Sequence, residues 1–342
     1  MSLPRKILLT AGPVLLVGLC YSVSMRSELS LANSANARTP VSPDDSAEMF
    51  ITVPPPHSDT PSAAARSESI HGLQQDCLDR ARTLKEKLGG HFNVVVSPPF
   101  VLLGDTSPAE LQHHFAETIV PSVRALEYSY FETPPTQPIS VVLLSNEAAF
   151  RAAAKALDHR TVNSLYGYYL DSERRLLVNL ATGNGSLAHE LTHALANADF
   201  PDIPEWFDEG LASLHEQSHF SDDGLQLIGT TNWRLYYLLQ AERNGRLRPV
   251  SQLIAYQDIR AGHEEIDYAH ARSFCTSLQS PGIQAGFCRP FRDGQPEDEL
   301  GLQALTTLLS PQSLAEIDSH FRDWLGRLHD QVTAERAAEK QD

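Results

Sequence analysis

The chain is short of positive charge. Its 342 residues carry 27 Lys and Arg against 43 Asp and Glu, a formal net charge of −16. Proteins that bind nucleic acid usually present a basic face, so this balance argues against that class. It favours solubility and weakly repels anionic membrane surfaces. Cysteine is scarce too. Cys20, Cys77, Cys275 and Cys288 include no C-x-x-C pair, so zinc held by cysteines is not suggested. The sequence also lacks a G-x-S-x-G elbow, a P-loop, a Gly-rich dinucleotide fingerprint and any internal repeat. Acyl transfer from a serine elbow and nucleotide binding therefore find no motif to rest on.

One uncharged stretch is long. Arg5 and Lys6 precede residues 7–25, "ILLTAGPVLLVGLCYSVSM", which is just long enough to span a bilayer. It reads as a signal anchor or a secretory signal peptide. The A-x-A site after Ala37 lies far from the apolar run, which favours an uncleaved anchor or late cleavage. The bulk of the chain is then expected in a bacterial cell envelope, periplasmic or extracellular, touching the membrane only through this segment. In such a compartment Cys275 and Cys288 could close a short loop, leaving Cys77 over; three buried free thiols are the equal alternative.

Residues 26–70 are rich in Pro, Ser and Ala and keep no period. They are expected to form a disordered linker, with order beginning near His71. The body, residues 71–330, divides into an α/β part (71–184) and a helical part (185–330), followed by a charged tail at 331–342. Residues 92–105 read as two strands broken by Pro98 and Pro99. In "SPAE", Ser107, Pro108 and Glu110 open a long helix that Pro121 should kink. "PISVVLLS" reads as a strand, "NEAAFRAAAKAL" as a helix, and "GYYLDSERRLLVNLA" as a hairpin. After residue 216 the reading is largely helical, over 230–245, 249–256, 267–280 and 313–340. The fold class expected is α+β, a small mixed sheet with helices and then a mainly helical half.

The chemistry concentrates at the junction, in "LAHELTHALANADFPDIPEWFDEGLASLHE", residues 187–216. His189 and His193 are four apart and share one face of a helix that Ser186 is placed to cap. Two neutral imidazoles at that spacing can bind one zinc ion. Glu190 points away from the ligand row but is near enough to take a proton from a water at the metal. This is the HExxH pattern, with the glutamate as general base. A catalytic site needs a third protein ligand and one open position. Pro204 can start a second helix carrying Glu205, Asp208, Glu209 and Glu216. Spacing favours Glu209, with Glu205 behind it, and Gly210 removes a side chain where the two helices could pack closely.

"HELTHAL" followed by "PEWFDEGLA" resembles the peptidase MA-like gluzincins, distant relatives of thermolysin and aminopeptidase N. The likeness is tight over residues 186–216 and looser from about 92 to 325. It implies a zincin-like active-site helix and one Zn2+ held by His189, His193 and Glu209, with Glu190 as base. "YAHA" is similar to a segment that follows the metal site in the bacterial branch, which implies Tyr268 as the donor to the developing oxyanion. Tyr166, Tyr168, Tyr169, Tyr236 and Tyr237 compete for that role. No G-x-M-x-N segment precedes the helix; "LVNLATGNGS" stands in its place. Recognition of a free α-amine is thus unsupported, and endopeptidase action on a peptide or protein substrate is favoured by default.

The expectation is an exported zinc metallopeptidase. A non-catalytic zinc-binding envelope scaffold and a hydrolase of cell-wall peptide bonds stand as alternatives. Asp208 and Glu216 are candidates to orient the imidazoles. His113–His114, "GHEE" at 262–265, His215 and His270 read as helix faces, a cap or packed histidines.

Overall fold

A computed structural model describes residues 63–255, 258–259, 264–279, 283–309 and 313–338. The expected membrane segment and most of the expected linker lie outside them. Among the described residues no helix is long and apolar enough to cross a membrane.

The elements run in the following order. Helix α1 (Ala63–Leu88) leads to strands β1 (Asn93–Ser97) and β2 (Phe100–Gly104). Helices α2 (Pro108–His114) and α3 (Val120–Ser129) flank a π-helical turn at Phe115–Ile119. Then come β3 (Ile139–Leu144), α4 (Glu147–Asp158), β4 (Gly167–Leu170) and β5 (Arg175–Asn179). Helices α5 (Asn184–Asp199) and α6 (Glu205–His215) precede a small ribbon, β6 (Ser218–Phe220) and β7 (Leu227–Gly229). Helices α7 (Arg234–Arg243), α8 (Val250–Ile254), α9 (Glu264–Leu278), α10 (Ile283–Asp293), α11 (Leu302–Leu308) and α12 (Leu314–Ala338) complete the chain. The class is α+β, a mixed sheet with helices followed by a mainly helical half.

The five-stranded sheet has the order β1-β2-β3-β5-β4. Its inner pairs, β2/β3 and β3/β5, are parallel, and both edges are antiparallel. Strands β2, β3 and β5 are buried along their whole length, which is why β2 and β3 read as largely apolar runs, while the ends of β5 are the buried polar residues Arg175 and Asn179. Successive side chains alternate between the faces. Val101, Leu103, Val142, Leu144 and Leu177 pack on α1 and α4 through Ala81, Leu84, Phe150 and Leu157. Phe100, Leu102, Val141, Leu143, Leu176 and Val178 join a core shared with α2, α3 and α5, which continues through α6 and α9 to α12. Helix α5 therefore lies on one face of the sheet with helices beyond it.

Several expectations need correction. Helix α1 is already formed at Ala63, eight residues before His71, since alanine is the best helix former in what reads as linker. Its counterpart α12 runs from Leu314 to Ala338, within the 313–340 read as helical. Ser107 and Glu110 do make the capping box. The expected kink at Pro121 is expressed upstream, as a π turn whose Val120 N–H bonds to the Phe115 carbonyl; a proline has no N–H for the next rung. Ser186 is not the cap of α5. The helix starts three residues earlier, at Asn184 after Gly183, whose φ is 93°, and the Ser186 hydroxyl lies 2.9 Å from that of Thr182. The ribbon β6–β7 falls in a region read as helical, its strands being too short to show a period. Helix α10 went unassigned because it contains Pro290; Phe287 and Phe291, fully buried against Trp206 and Phe207, hold it in place. Cys77, Cys275 and Cys288 are buried free thiols, so no 275–288 loop is closed.

Close approach between helices rests on two glycines. A Cβ at Gly185 would meet the Glu216 carbonyl oxygen at 2.1 Å, so α5 and the end of α6 touch there. A Cβ at Gly210 would lie 2.7 Å from the Cys275 sulfur and 2.9 Å from the Ala271 carbonyl oxygen. Gly210 thus serves the α6–α9 contact, not the α5–α6 contact its position suggested. At the end of α5, Asp199 accepts from the Thr133 N–H at 2.7 Å and pairs with Arg292 at 2.7 Å. Burial favours its acid form, but Arg292 and Thr133 outweigh that and hold its carboxyl below the ordinary value.

Two outcomes are expected. Gly210→Ala gains about 1 kcal/mol of helix propensity but overpacks against α9 backbone at a cost of about 1–3 kcal/mol. With the nearest backbone atom at 2.9 Å, denaturant unfolding should show net destabilisation. The Asp199 carboxylate, its folded-state pKa depressed, stabilises the fold above the unfolded value near 4. That contribution fades as pH falls through the folded value. Asp199→Asn should therefore cost about 1–3 kcal/mol at pH 7, and denaturant unfolding should show that cost shrinking steadily as pH falls below about 4.

Candidate metal centre

Helix α5 presents His189 and His193 one turn apart, and α6 crosses it so that Glu209 faces both. The two imidazole Nε2 atoms are 3.1 Å apart. Glu209 Oε2 lies 3.4 Å from the Nε2 of His189 and 3.5 Å from that of His193. Three donors at about 2.0–2.1 Å from a tetrahedral centre are separated by about 3.3 Å. The three observed edges match that spacing, so the residues fit one small divalent ion. Glu190 belongs to the same cluster. Together with His189 and His193 it can offer ligand atoms that all lie within 4.8 Å of one another, the one such group among the described residues. The edge distances put a Glu209 oxygen against both imidazoles, with Glu190 in the same cluster.

The surroundings prepare the donors. His193 Nδ1 lies 2.9 Å from Asp208 Oδ1. A proton on Nδ1 donated to that carboxylate leaves the Nε2 lone pair directed at the meeting point. Glu209 is 3% exposed, and its other oxygen accepts from the Tyr268 hydroxyl at 2.9 Å. Burial disfavours a protonated His193, yet Asp208 and Glu209 outweigh it and hold the imidazole well above its ordinary value. For Glu209, burial favours the acid, but His193 and His189 hold the carboxyl well below its ordinary value. Both shifts state one fact: positive charge is stabilised where the three donors meet.

These side chains form the floor of a cleft of about 1090 Å³. Glu190 is buried against edge strand β4. A Cβ at Gly167 would come within 3.3 Å of the Glu190 carboxylate and 2.8 Å of the Leu177 carbonyl oxygen. Only glycine leaves Glu190 this room. Tyr166 and Trp233 line the cleft and are about half exposed. Arg234 also lines it, 2.9 Å from Glu216 and with its guanidinium 4.4 Å from the Trp233 ring and 5.0 Å from the Tyr268 ring.

The sequence-derived residues thus separate. His189, Glu190, His193, Glu209 and Tyr268 come together at one point. Of the candidates to orient an imidazole, Asp208 lies 2.9 Å from His193 Nδ1 and Glu216 pairs with Arg234 instead. Glu205 stands in the cleft wall. His215 is buried 3.1 Å from the Thr192 hydroxyl and stacks near Tyr130; burial, then Arg272, pushes it down to about 3, so it stays neutral. His270 is buried, stacked 5.2 Å from Phe321 and outside the cleft. Tyr168 donates to Asp158 and Tyr169 to Asn197. Of "GHEE", Gly262 and His263 lie outside the described residues, while Glu264 and Glu265 open α9 at the cleft. Sequence reasoning missed Gly167, Trp233 and Arg234. Nothing in "YGYYL" or "NWRLYY" marks them, because their role comes from strand and helix placement.

Asp208→Asn keeps the shape but weakens the pull on the His193 Nδ1 proton. Affinity for Zn2+, read by competition with a chelator at pH 7, should fall about 10- to 100-fold; unchanged affinity would show that Asp208 does not orient the imidazole. The chain matches no protein-family model and no curated protein.

Proposed function

We propose that the protein is an exported zinc metallopeptidase of gluzincin type, hydrolysing peptide bonds in a peptide or protein substrate. The observation that carries this reading is the meeting of His189, His193 and Glu209 at tetrahedral-edge distances with a carboxylate, Glu190, beside them in an open cleft. Two nitrogens and one oxygen suit zinc, and three protein ligands leave a fourth position for chemistry. A site serving structure alone would close that position with a fourth ligand and would have no use for Glu190.

Zinc, when bound, supplies Lewis acidity that makes water nucleophilic at neutral pH and polarises a carbonyl. The remaining work falls to side chains of this chain. Glu190 accepts a proton from the attacking water as the carbon–oxygen bond forms. It then delivers that proton to the amine as the carbon–nitrogen bond breaks. Tyr268 spends its one O–H on Glu209 and holds it in register; donation to the carbonyl oxygen as negative charge develops requires that bond to be exchanged. Asp208 fixes the His193 tautomer. The wall formed by α6, α9 and β4 keeps the carboxylate and phenol at low solvent exposure, which strengthens each contact.

Glu190→Gln should retain zinc, since the three ligands remain, and lose hydrolysis of a broad peptide library about 10²- to 10⁴-fold. Zinc content by mass spectrometry and library cleavage measured on the same preparations check this. Equal activity in the variant, or wild-type protein that takes up no zinc, would sink the reading.

A further inference from the structure

We infer that Arg234 is a positioning residue for Tyr268. Its guanidinium holds the phenol ring in place while the hydroxyl passes from Glu209 to the substrate carbonyl oxygen. This rests on the peptidase reading and adds a residue to its machinery.

The need arises at the hydroxyl. Tyr268 has one O–H to give, and Glu209 accepts it at 2.9 Å. To serve the carbonyl oxygen the hydroxyl must leave that acceptor, and a contact that orients the ring goes with it. A group that grips the ring face is indifferent to where the O–H points. Arg234 is placed to be that group. Its guanidinium carbon lies over the Tyr268 ring, 5.0 Å from the centroid. At that range an aromatic face attracts a cation.

Arg234 is itself held from two sides. Its Nε donates to one Glu216 oxygen at 2.9 Å and its Nη2 to the other at 3.4 Å. A planar fork on one carboxylate fixes the plane of the guanidinium. The same guanidinium lies 4.4 Å from the Trp233 ring. The pair is largely sheltered, with side-chain exposures of 13% for Arg234 and 15% for Glu216. Its anchors belong to elements already fixed. Glu216 closes α6, and its carbonyl oxygen is the atom that Gly185 of α5 approaches. Arg234 opens α7, its backbone N–H bonded to Asn232 at 3.0 Å. Contacts therefore run from Glu216 through Arg234 and Tyr268 to Glu209, from the end of α6 back to the ligand on the same helix.

An ion pair that only tied α6 to α7 would need neither two aromatic rings nor a place in the cleft wall, and Arg234 has both. Glu216 answers its charge, so Arg234 works by contact with the ring.

The test is a double-mutant cycle in full-length zinc-loaded protein, read on a fluorogenic peptide that the wild type cleaves. Arg234→Gln should lower kcat about 3- to 30-fold and leave KM within about twofold. In Tyr268→Phe, which keeps the ring and loses the hydroxyl, the same substitution should cost less than about twofold, because the group it positions is gone. Where Arg234→Gln does not fold, Arg234→Lys carries the same comparison, since it keeps the charge opposite Glu216 and loses the planar fork. A second readout needs neither zinc nor substrate. With carbon-13 at the tyrosine ζ carbons, the Tyr268 signal is assigned by its loss in Tyr268→Phe. It should be single in the wild type and split or broadened in Arg234→Gln. That result in protein that cleaves no peptide upholds the grip on the ring and removes the peptidase reading alone. Equal cost in both backgrounds, a rise in KM in place of the fall in kcat, or a Tyr268 signal that stays single in Arg234→Gln overturns the inference even where peptides are cleaved.

Discussion

The structure turns on one electrostatic problem: two imidazoles and a carboxylate brought within 3.1–3.5 Å of one another and largely removed from water. Burial by itself favours the neutral forms of Glu209 and His193. Both resist it because each is answered: the Glu209 carboxylate by the imidazoles and the Tyr268 hydroxyl, the His193 ring by Asp208 and Glu209. What the arrangement wants at its centre is positive charge. Everything around it serves to hold three side chains from two helices in that relation, against the repulsion of like donors.

The supporting architecture is legible as a sequence of constraints. The parallel centre of the sheet must be covered on both faces, so α5 is pressed onto one face by Leu187 and Leu191. Its ligand face then points toward α6. Gly185 lets the two helices touch at one end, and Gly210 lets α9 come close enough for Tyr268 to reach Glu209. Edge strand β4, kept bare at Gly167, leaves space for Glu190. The two imidazoles with Glu190, the Glu209 carboxylate and the Tyr268 phenol thus come from three helices whose approach distances are set by missing side chains.

Much of this was readable from residue order, for physical reasons that differ by element. Strands β2 and β3 announce themselves because strands buried on both faces are largely apolar; β5 was read only as one arm of a hairpin, its buried Arg175 paired with Asp158. The α2 cap announces itself because Ser107 and Glu110 satisfy orphan amides at fixed spacing. His189, His193 and Glu190 were marked by the helical repeat; Glu205 and Glu209 share a face, and Glu209 was favoured partly by the Gly210 beside it and mostly by the resemblance to gluzincins. Ribbon β6–β7 and helix α10 were hidden because three-residue strands have no period and because tertiary packing overrode Pro290. The partner of Gly210 was hidden too: spacing shows where a side chain is missing, not which helix fills the gap. Asp208 and Glu216 were equal candidates until the fold gave one to His193 and the other to Arg234.

The central claim is that His189, His193 and Glu209 hold a single zinc ion. The most direct measurement is anomalous diffraction at the zinc absorption edge from crystals grown with stoichiometric zinc. The account predicts one peak per chain, bonded to the Nε2 atoms of His189 and His193 and to a Glu209 carboxylate oxygen at about 2.0–2.2 Å. A peak ligated by Glu190 in place of Glu209, or no peak between α5 and α6, would contradict it.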